Sequence, residues 1–312
     1  MYFQTAGITV SPWVPPLIAF SVSFFTSMGG VSGAFLLLPF QMSFLGYTNP
    51  SVSATNQLYN IVAIPSGVYR YYREGRMVWP LTLIVIAGTL PGVFIGAFIR
   101  VAYLPKPSNF KLFAAAVLLY IGIRMISDLA GKKQKMNKAE GERRLQELMR
   151  SFKKGDGSQQ PAAVTVTHCN GNRLGYSFYG ETYDVSIWSI FSLSFIVGII
   201  GGIYGIGGGA IIAPFFVTFF GLPVYTVAGA ALMGTFVTSV AGVAFYQAIA
   251  PFYPNMSIAP DWLLGILFGL GGMAGMYLGA RCQKHVPARL IKWMLAAIIL
   301  FTALKYALDF FI

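Results

Sequence analysis

The stretch "GIYGIGGGAIIAP" at residues 202–214 sets five glycines inside a strongly apolar run. A P-loop needs a lysine and then a serine or threonine after its glycines, whereas here Gly209 is followed by Ala210 and Ile211. Gly205, Gly207 and Ala210 imitate a dinucleotide fingerprint. That motif needs a short strand before it and an acidic residue roughly 20 positions later, but no acidic residue follows until Asp261. The flanks, Ile199 and Ile200 before and Phe215 to Phe220 after, look like lipid-embedded chain and not like a nucleotide fold.

Composition agrees. The 312 residues are 56% hydrophobic and only 10% charged, with a mean hydropathy of +0.65. A soluble domain carries about a quarter charged residues, so this is membrane composition. Of the 22 lysines and arginines, eleven crowd between Arg124 and Arg173, where the apolar runs stop. The net charge of +12 therefore reads as a membrane rim facing anionic headgroups, with no nucleic-acid partner. Cys169 and Cys282 lie far apart and suggest neither a disulfide framework nor a metal site, and no cofactor is expected. The N-terminus lacks a basic n-region and a usual cleavage site, so the apolar chain from Leu17 onward is expected to stay in the membrane.

Apolar segments run over 14–28, 31–46, 52–70, 78–100, 110–128, 185–201, 204–220, 225–250, 262–280 and 290–310. A crossing helix needs about 20 residues. Segments 14–28, 31–46, 185–201 and 204–220 are too short or interrupted by glycine, and they occupy corresponding positions. Laid over itself at an offset of 175 residues, the chain aligns "GVSGAFLLLPFQMSFLG" (30–46) with "GIGGGAIIAPFFVTFFG" (205–221), pairing Gly30 with Gly205, Gly33 with Gly208 and Pro39 with Pro214. Past a longer loop at 251–261 the offset becomes 183, and Trp79, Gly88, Gly92 and Gly96 align with Trp262, Gly271, Gly275 and Gly279. A shared glycine and proline framework predicts an internal duplication. The expected fold is an all-α polytopic membrane protein with two homologous, inverted repeats, 14–130 and 185–312, each with glycine-broken half-helices. A small soluble insert, 131–184, separates them. The two glycine series are expected to let helices approach closely inside the fold. Within the insert, "QKMNKAEGERRLQELMRS" reads as a basic amphipathic helix, and "CNGN" at 169–172 as a hairpin turn. It serves as a soluble cap or assembly surface, or as a regulatory ligand-binding domain.

Two topologies compete. If each broken pair makes one crossing, the repeats run parallel; if it turns back at its glycines, three further crossings invert the second repeat. The inverted arrangement puts Arg70, Arg73, Arg76, the cluster from Arg124 to Arg173, and Arg281, Lys284, Arg289 and Lys292 on one side. Only Arg100, Lys106, Lys111 and Lys305 fall on the other. The positive-inside rule then favours inversion, with the insert in the cytoplasm and the chain a multi-pass protein of the cell membrane.

Non-helical backbone at membrane depth must face protein or a watery cavity. Two facing breaks mark a central site, as broken helices do in many secondary transporters. Glycine allows φ above zero, bares N–H groups and removes side chains that would block a ligand. Pro39 and Pro214 are read as kinks in the second half-helices. A half-helix starting near Gly33 or Gly208 aims its positive end at an anion. The competing use of such glycines is tight helix crossing with no ligand.

"GGIYGIGGGAIIAPFFVTFFGLP", its copy "SMGGVSGAFLLLPFQMSFLG" and the following "AGAALMGTFVTSVAG" resemble the sulfite exporter TauE/SafE family. The resemblance covers both repeats. It implies transport of a small sulfur-containing anion such as sulfite, an organosulfonate or thiosulfate across the cytoplasmic membrane, usually outward. The first copy departs from the family's GxGGG at Ser32 and Ala34, so the two halves need not contribute equally.

The candidate substrate-binding residues are Ser27, Gly29, Gly30, Ser32 and Gly33 at the first break and Tyr204, Gly205, Gly207, Gly208 and Gly209 at the second. Asn56 and Asn60, four apart on one helix face, join them from "SATNQLYN" (53–60). Thr235, which aligns with Asn60, comes with Thr238 and Ser239. No Asp, Glu or His is expected at mid-membrane, so coupling to a proton or to the membrane potential both stand. The same absence argues against an intramembrane enzyme. An anion channel, or a membrane sensor using the insert, remains the alternative.

Overall fold

The computed structural model describes residues 1–28, 32–73, 75, 77–130, 164–178, 180–209, 211–282 and 288–311. The candidates Gly29 and Gly30 and the expected basic helix of the insert lie outside these residues.

Eleven helices form among the described residues. They are α1 (Val14–Met28), α2 (Ala34–Ser43), α3 (Ser51–Ala63), α4 (Pro65–Arg73), α5 (Trp79–Ala102), α6 (Pro107–Ala130), α7 (Ile187–Tyr204), α8 (Ile212–Phe219), α9 (Val224–Ile249), α10 (Trp262–Cys282) and α11 (Ala288–Phe311). By length and composition α5, α7, α9 and α10 can each cross a membrane. The fold is mostly helical and not wholly so. A short pair, β1 (Tyr2–Phe3) and β2 (Ile8–Thr9), precedes α1, and β3 (Val164–Cys169), β4 (Arg173–Phe178) and β5 (Glu181–Ser186) form an antiparallel sheet before α7. The expected hairpin at 169–172 joins β3 to β4, and β5 adds a strand that the turn motif did not announce. Leu174, Tyr176 and Phe178 alternate along β4 and are all buried.

Local chemistry sets the helix ends. The single segment expected over 52–70 is two helices, because Pro65 lacks an N–H to continue the helical ladder, while it suits the first position of α4; Ile64 itself keeps right-handed helical backbone. Helix α7 stops at Gly205, whose φ of 81° is left-handed. Its N–H and that of Ile206 both return to Gly201 O, at 2.9 and 3.0 Å.

Two parallel helix pairs are packed without side chains between them. A Cβ on Gly88 would sit 2.7 Å from Phe191 O, and Cβ atoms on Gly92 and Gly96 would collide with Phe195 O and Ile199 O of α7. Likewise Gly271, Gly275 and Gly279 of α10 abut the carbonyls of Pro16, Phe20 and Phe24 of α1. These small-residue faces bring backbone against backbone within the chain. Helix α6 packs along α11, and α3 crosses α9 with Gln57 against Gly242.

Each short broken pair returns to the end of the bundle at which it started. After α2, Asn49 Nδ2 donates to Thr5 O and Ala6 O, at 3.4 and 3.2 Å, in the hairpin that precedes α1. After α8, Thr226 bonds Tyr176 Oη at 3.0 Å on the sheet that precedes α7. The 26 residues of α9 separate the two ends, a rise of about 39 Å.

Candidate functional site

Helix α3 supplies a polar face at the centre of the bundle. Ser53, Asn56 and Asn60 are spaced i, i+3 and i+7, so they line one side of the helix. All three are fully buried, where a polar group needs a partner. They find it in the carbonyls left unpaired where α7 ends. Ser53 Oγ donates to Ile203 O at 3.3 Å, Asn56 Nδ2 to Gly205 O at 3.0 Å and Asn60 Nδ2 to Ile206 O at 2.9 Å.

Asn56 does more. Its Nδ2 also donates to Ala34 O at 3.0 Å, the first residue of α2, and its Oδ1 accepts from Gln41 Nε2 at 3.3 Å. One amide thus holds both breaks together. Tyr204 makes a second tie, its hydroxyl donating to Phe35 O at 3.0 Å. That carbonyl is free because the residue four places on is Pro39, which has no N–H to offer it. Pro214, by contrast, lies in the first turn of α8, where a missing N–H breaks no helical bond.

The second break is filled to contact. Cβ atoms added at Gly205 and Gly207 would stand 2.5 Å from Ser53 Cα and 2.8 Å from Ser239 Oγ, and one at Gly208 would stand 2.5 Å from Thr89 Cβ. One on Gly209 would collide with Ala231 O. Gly208 N–H donates to Thr238 Oγ1 at 3.0 Å, Thr235 Oγ1 donates to Ala231 O of its own helix at 2.8 Å, and Ser239 Oγ accepts weakly from Asn60 at 3.4 Å. The described part of the first break also meets hydroxyls. Ser32 Oγ accepts from Ala34 N–H at 3.3 Å, and Gly33 faces Tyr59, Ser23 and Thr26. Ser23 and Tyr59 share a hydrogen bond of 2.7 Å. Ser27 turns to Phe24 O at 3.1 Å and lies against Gly279 of α10.

The structure therefore gathers Asn56, Asn60, Tyr204, the second-break glycines and Thr235, Thr238 and Ser239 at one place, with the amide donors directed at backbone carbonyls. It adds residues that sequence reading did not single out: Ser23, Gln41, Tyr59, Thr89 and Arg100. Gln57 belongs with them, although it was visible within the polar segment 53–60. Gln41 Oε1, both amide atoms of Gln57 and Asn60 Oδ1 are buried without a partner among the described residues. The centre offers neutral donors and acceptors, with one buried cation, Arg100, at its edge. Asp261 lies instead at the hairpin end, taking N–H groups from Ala6 and Leu264, and Glu181 and Asp184 lie on the sheet. A cavity of about 360 Å³ between α1, α2 and α11 is a different feature, lined by Phe25, Pro39, Phe40 and Phe301 with Lys305 at its edge. Phe44 and Phe301, 76% and 74% exposed, place it on the outer wall.

A helical bundle in which two broken segments meet at a buried polar centre has the architecture of a membrane transporter. The family described as "Sulfite exporter TauE/SafE" matches residues 16–306, and the chain belongs to it. Two proteins of Bacillus subtilis (strain 168) are similar to it. "Probable membrane transporter protein YunE" is 22% identical over 281 residues, 88% of this chain and 89% of that protein. "Probable membrane transporter protein YdhB" is 26% identical over 123 residues, 39% of this chain and 47% of that protein. No solved structure matches the chain significantly.

Proposed function

We propose that the protein is a secondary carrier, not an enzyme, that exports a small sulfur-containing oxyanion such as sulfite, an organosulfonate or thiosulfate across the cytoplasmic membrane. The carrying observation is Asn56, which bonds Ala34 O of one break and Gly205 O of the other. A centre that joins two half-helix pairs is the place where rocking of one half against the other opens a path to either side. Family membership and the membrane-transporter names of both relatives support the class.

The two halves are inverted repeats in this reading. The offsets of 175 and 183 that align the sequence also carry Gly88 against Phe191 onto Gly271 against Pro16, and Gly92 against Phe195 onto Gly275 against Phe20. The broken pairs returning to opposite ends support inversion, with the insert on the cytoplasmic side. Coupling is to a proton or to the membrane potential.

Flux into proteoliposomes tests this with sulfite, thiosulfate, sulfoacetate, taurine and sulfate. The expected result is saturable uptake with counterflow of at least one sulfur anion. Flux without saturation or counterflow makes the protein a channel, and no flux of any of them removes the reading. Orientation is checked with Cys282→Ser protein, in which exposed Cys169 should label only after right-side-out vesicles are opened.

A further inference from the structure

Arg100 sits in the last turn of α5 and is fully buried. Counted by sequence, it is one of the few basic residues on the hairpin side. In the fold it stands beside the second break. Its Nε donates to Ser53 Oγ at 3.3 Å, and Ser53 Oγ in turn reaches Ile203 O. The guanidinium carbon lies 3.8 Å from the ring centre of Phe110, whose ring is 6.4 Å from that of Tyr204. Nη1 donates to Leu104 O. Nη2 is buried without a partner, and no carboxylate among the described residues pairs with the guanidinium.

Burying a charge without a counter-ion is strongly unfavourable. Capping Leu104 O needs one N–H, which a neutral side chain supplies as well, so the cap alone does not account for the charge. A second buried polar group lies one turn away. Gln57 is one turn from Ser53 on the same face of α3, and neither atom of its amide has a partner among the described residues. The Gln57 amide packs against the backbone of Gly242, where a Cβ would meet Oε1, and one turn further Tyr246 is directed at Gly202 O at 3.4 Å.

We propose that the missing counter-ion of Arg100 is the transported anion, held by Nη2 with the Gln57 amide donating beside it, and that the site selects singly charged oxyanions. A monoanion neutralises the lone guanidinium, whereas a dianion leaves one net negative charge in a low-dielectric interior. The inference rests on the proposed anion transport and narrows it: hydrogensulfite and simple monosulfonates fit this site, and the dianion thiosulfate does not.

The test uses the full chain in proteoliposomes with methanesulfonate and sulfate as probes, alongside Arg100→Gln, Arg100→Lys and Gln57→Leu. Folding is checked by size exclusion and reconstituted amount. The wild type should take up methanesulfonate in preference to sulfate. Arg100→Gln should lose at least about tenfold of the methanesulfonate flux, the scale of one lost charge-assisted hydrogen bond. Arg100→Lys should keep the preference at a higher KM. Gln57→Leu strips an amide without a partner among the described residues, so it should fold normally and raise the methanesulfonate KM. If Arg100→Gln folds and transports like the wild type, or if the wild type prefers sulfate, the inference is overturned while anion transport stands. If Arg100→Gln does not fold, unchanged methanesulfonate KM values in both Arg100→Lys and Gln57→Leu overturn it. No anion flux in the wild type overturns the proposed function instead.

Discussion

Gly33 at the first break faces the hydroxyl-bearing side chains of Ser23, Thr26 and Tyr59, whereas Gly208 at the second faces Thr89 and the backbone of Gly198. The sequence offsets show where the volume has gone. Ser23, Thr26 and Tyr59 align with Gly198, Gly201 and Gly234, and Thr89 aligns with Gly272. In one half the side chains come from α1 and α3 and fill towards a glycine on α10, since a Cβ on Gly272 would collide with the Tyr59 ring. In the other half the glycines are on α7 and α9, and Thr89 of α5 does the filling. Both breaks are packed by moving bulk from one helix to its neighbour, as a close-packed interior requires. What differs is chemistry: hydroxyls line both, but at the second break the Asn56 and Asn60 amides also cap the carbonyls of Gly205 and Ile206.

The contrast can be broken most forcefully at the glycines. Gly208→Val should abolish transport, because the new side chain meets Thr89 Cβ close to rigid backbone. Gly33→Ala should keep measurable flux, because the nearest atom is the hydroxyl end of Tyr59, which can swing aside. Initial flux at equal membrane amounts decides it, and a folded Gly208→Val protein with normal flux would make those glycines dispensable.

Asn56→Ala should come next. It leaves Gly205 O buried and without a partner among the described residues, at a cost of about 1–3 kcal/mol, and removes the tie to Ala34 O. A lowered thermal midpoint together with reduced flux is expected, and Asn60→Ala should be milder because it frees chiefly Ile206 O. Equal losses from the two would mean that joining the breaks is not the special task of Asn56.

A smaller effect belongs to the first break. Tyr59→Phe removes the bond to Ser23, a change of about 1 kcal/mol. If hydroxyls there meet the anion, KM should rise while the thermal midpoint moves only slightly; a fall in midpoint with KM unchanged would assign them to packing. The smallest change is Ser32→Gly, which makes the first break more like the second and removes the bond to Ala34 N–H. A few tenths of a kcal/mol is expected, as for a helix cap changed to glycine, and thermal melting should scarcely register it.

The positions of the broken segments, the glycine faces and the short apolar helices were legible in the chain, because glycine spacing and hydropathy are local properties that survive in any fold. Residues 53–60 were legible too, as a polar face in an apolar setting. The direction of those amides was not. Asn56 and Asn60 looked like donors awaiting a ligand, and only the packing of α3 across the end of α7 gives them backbone carbonyls 149 and 146 residues away. Pro65 hid a helix boundary inside one hydropathic run, since apolarity continues across a break that a missing N–H imposes. Arg100 illustrates the limit best. Sequence determines that a cation closes an apolar helix, but whether that charge meets solvent or a buried face depends on which helices surround it, and burial is a property of the tertiary structure alone.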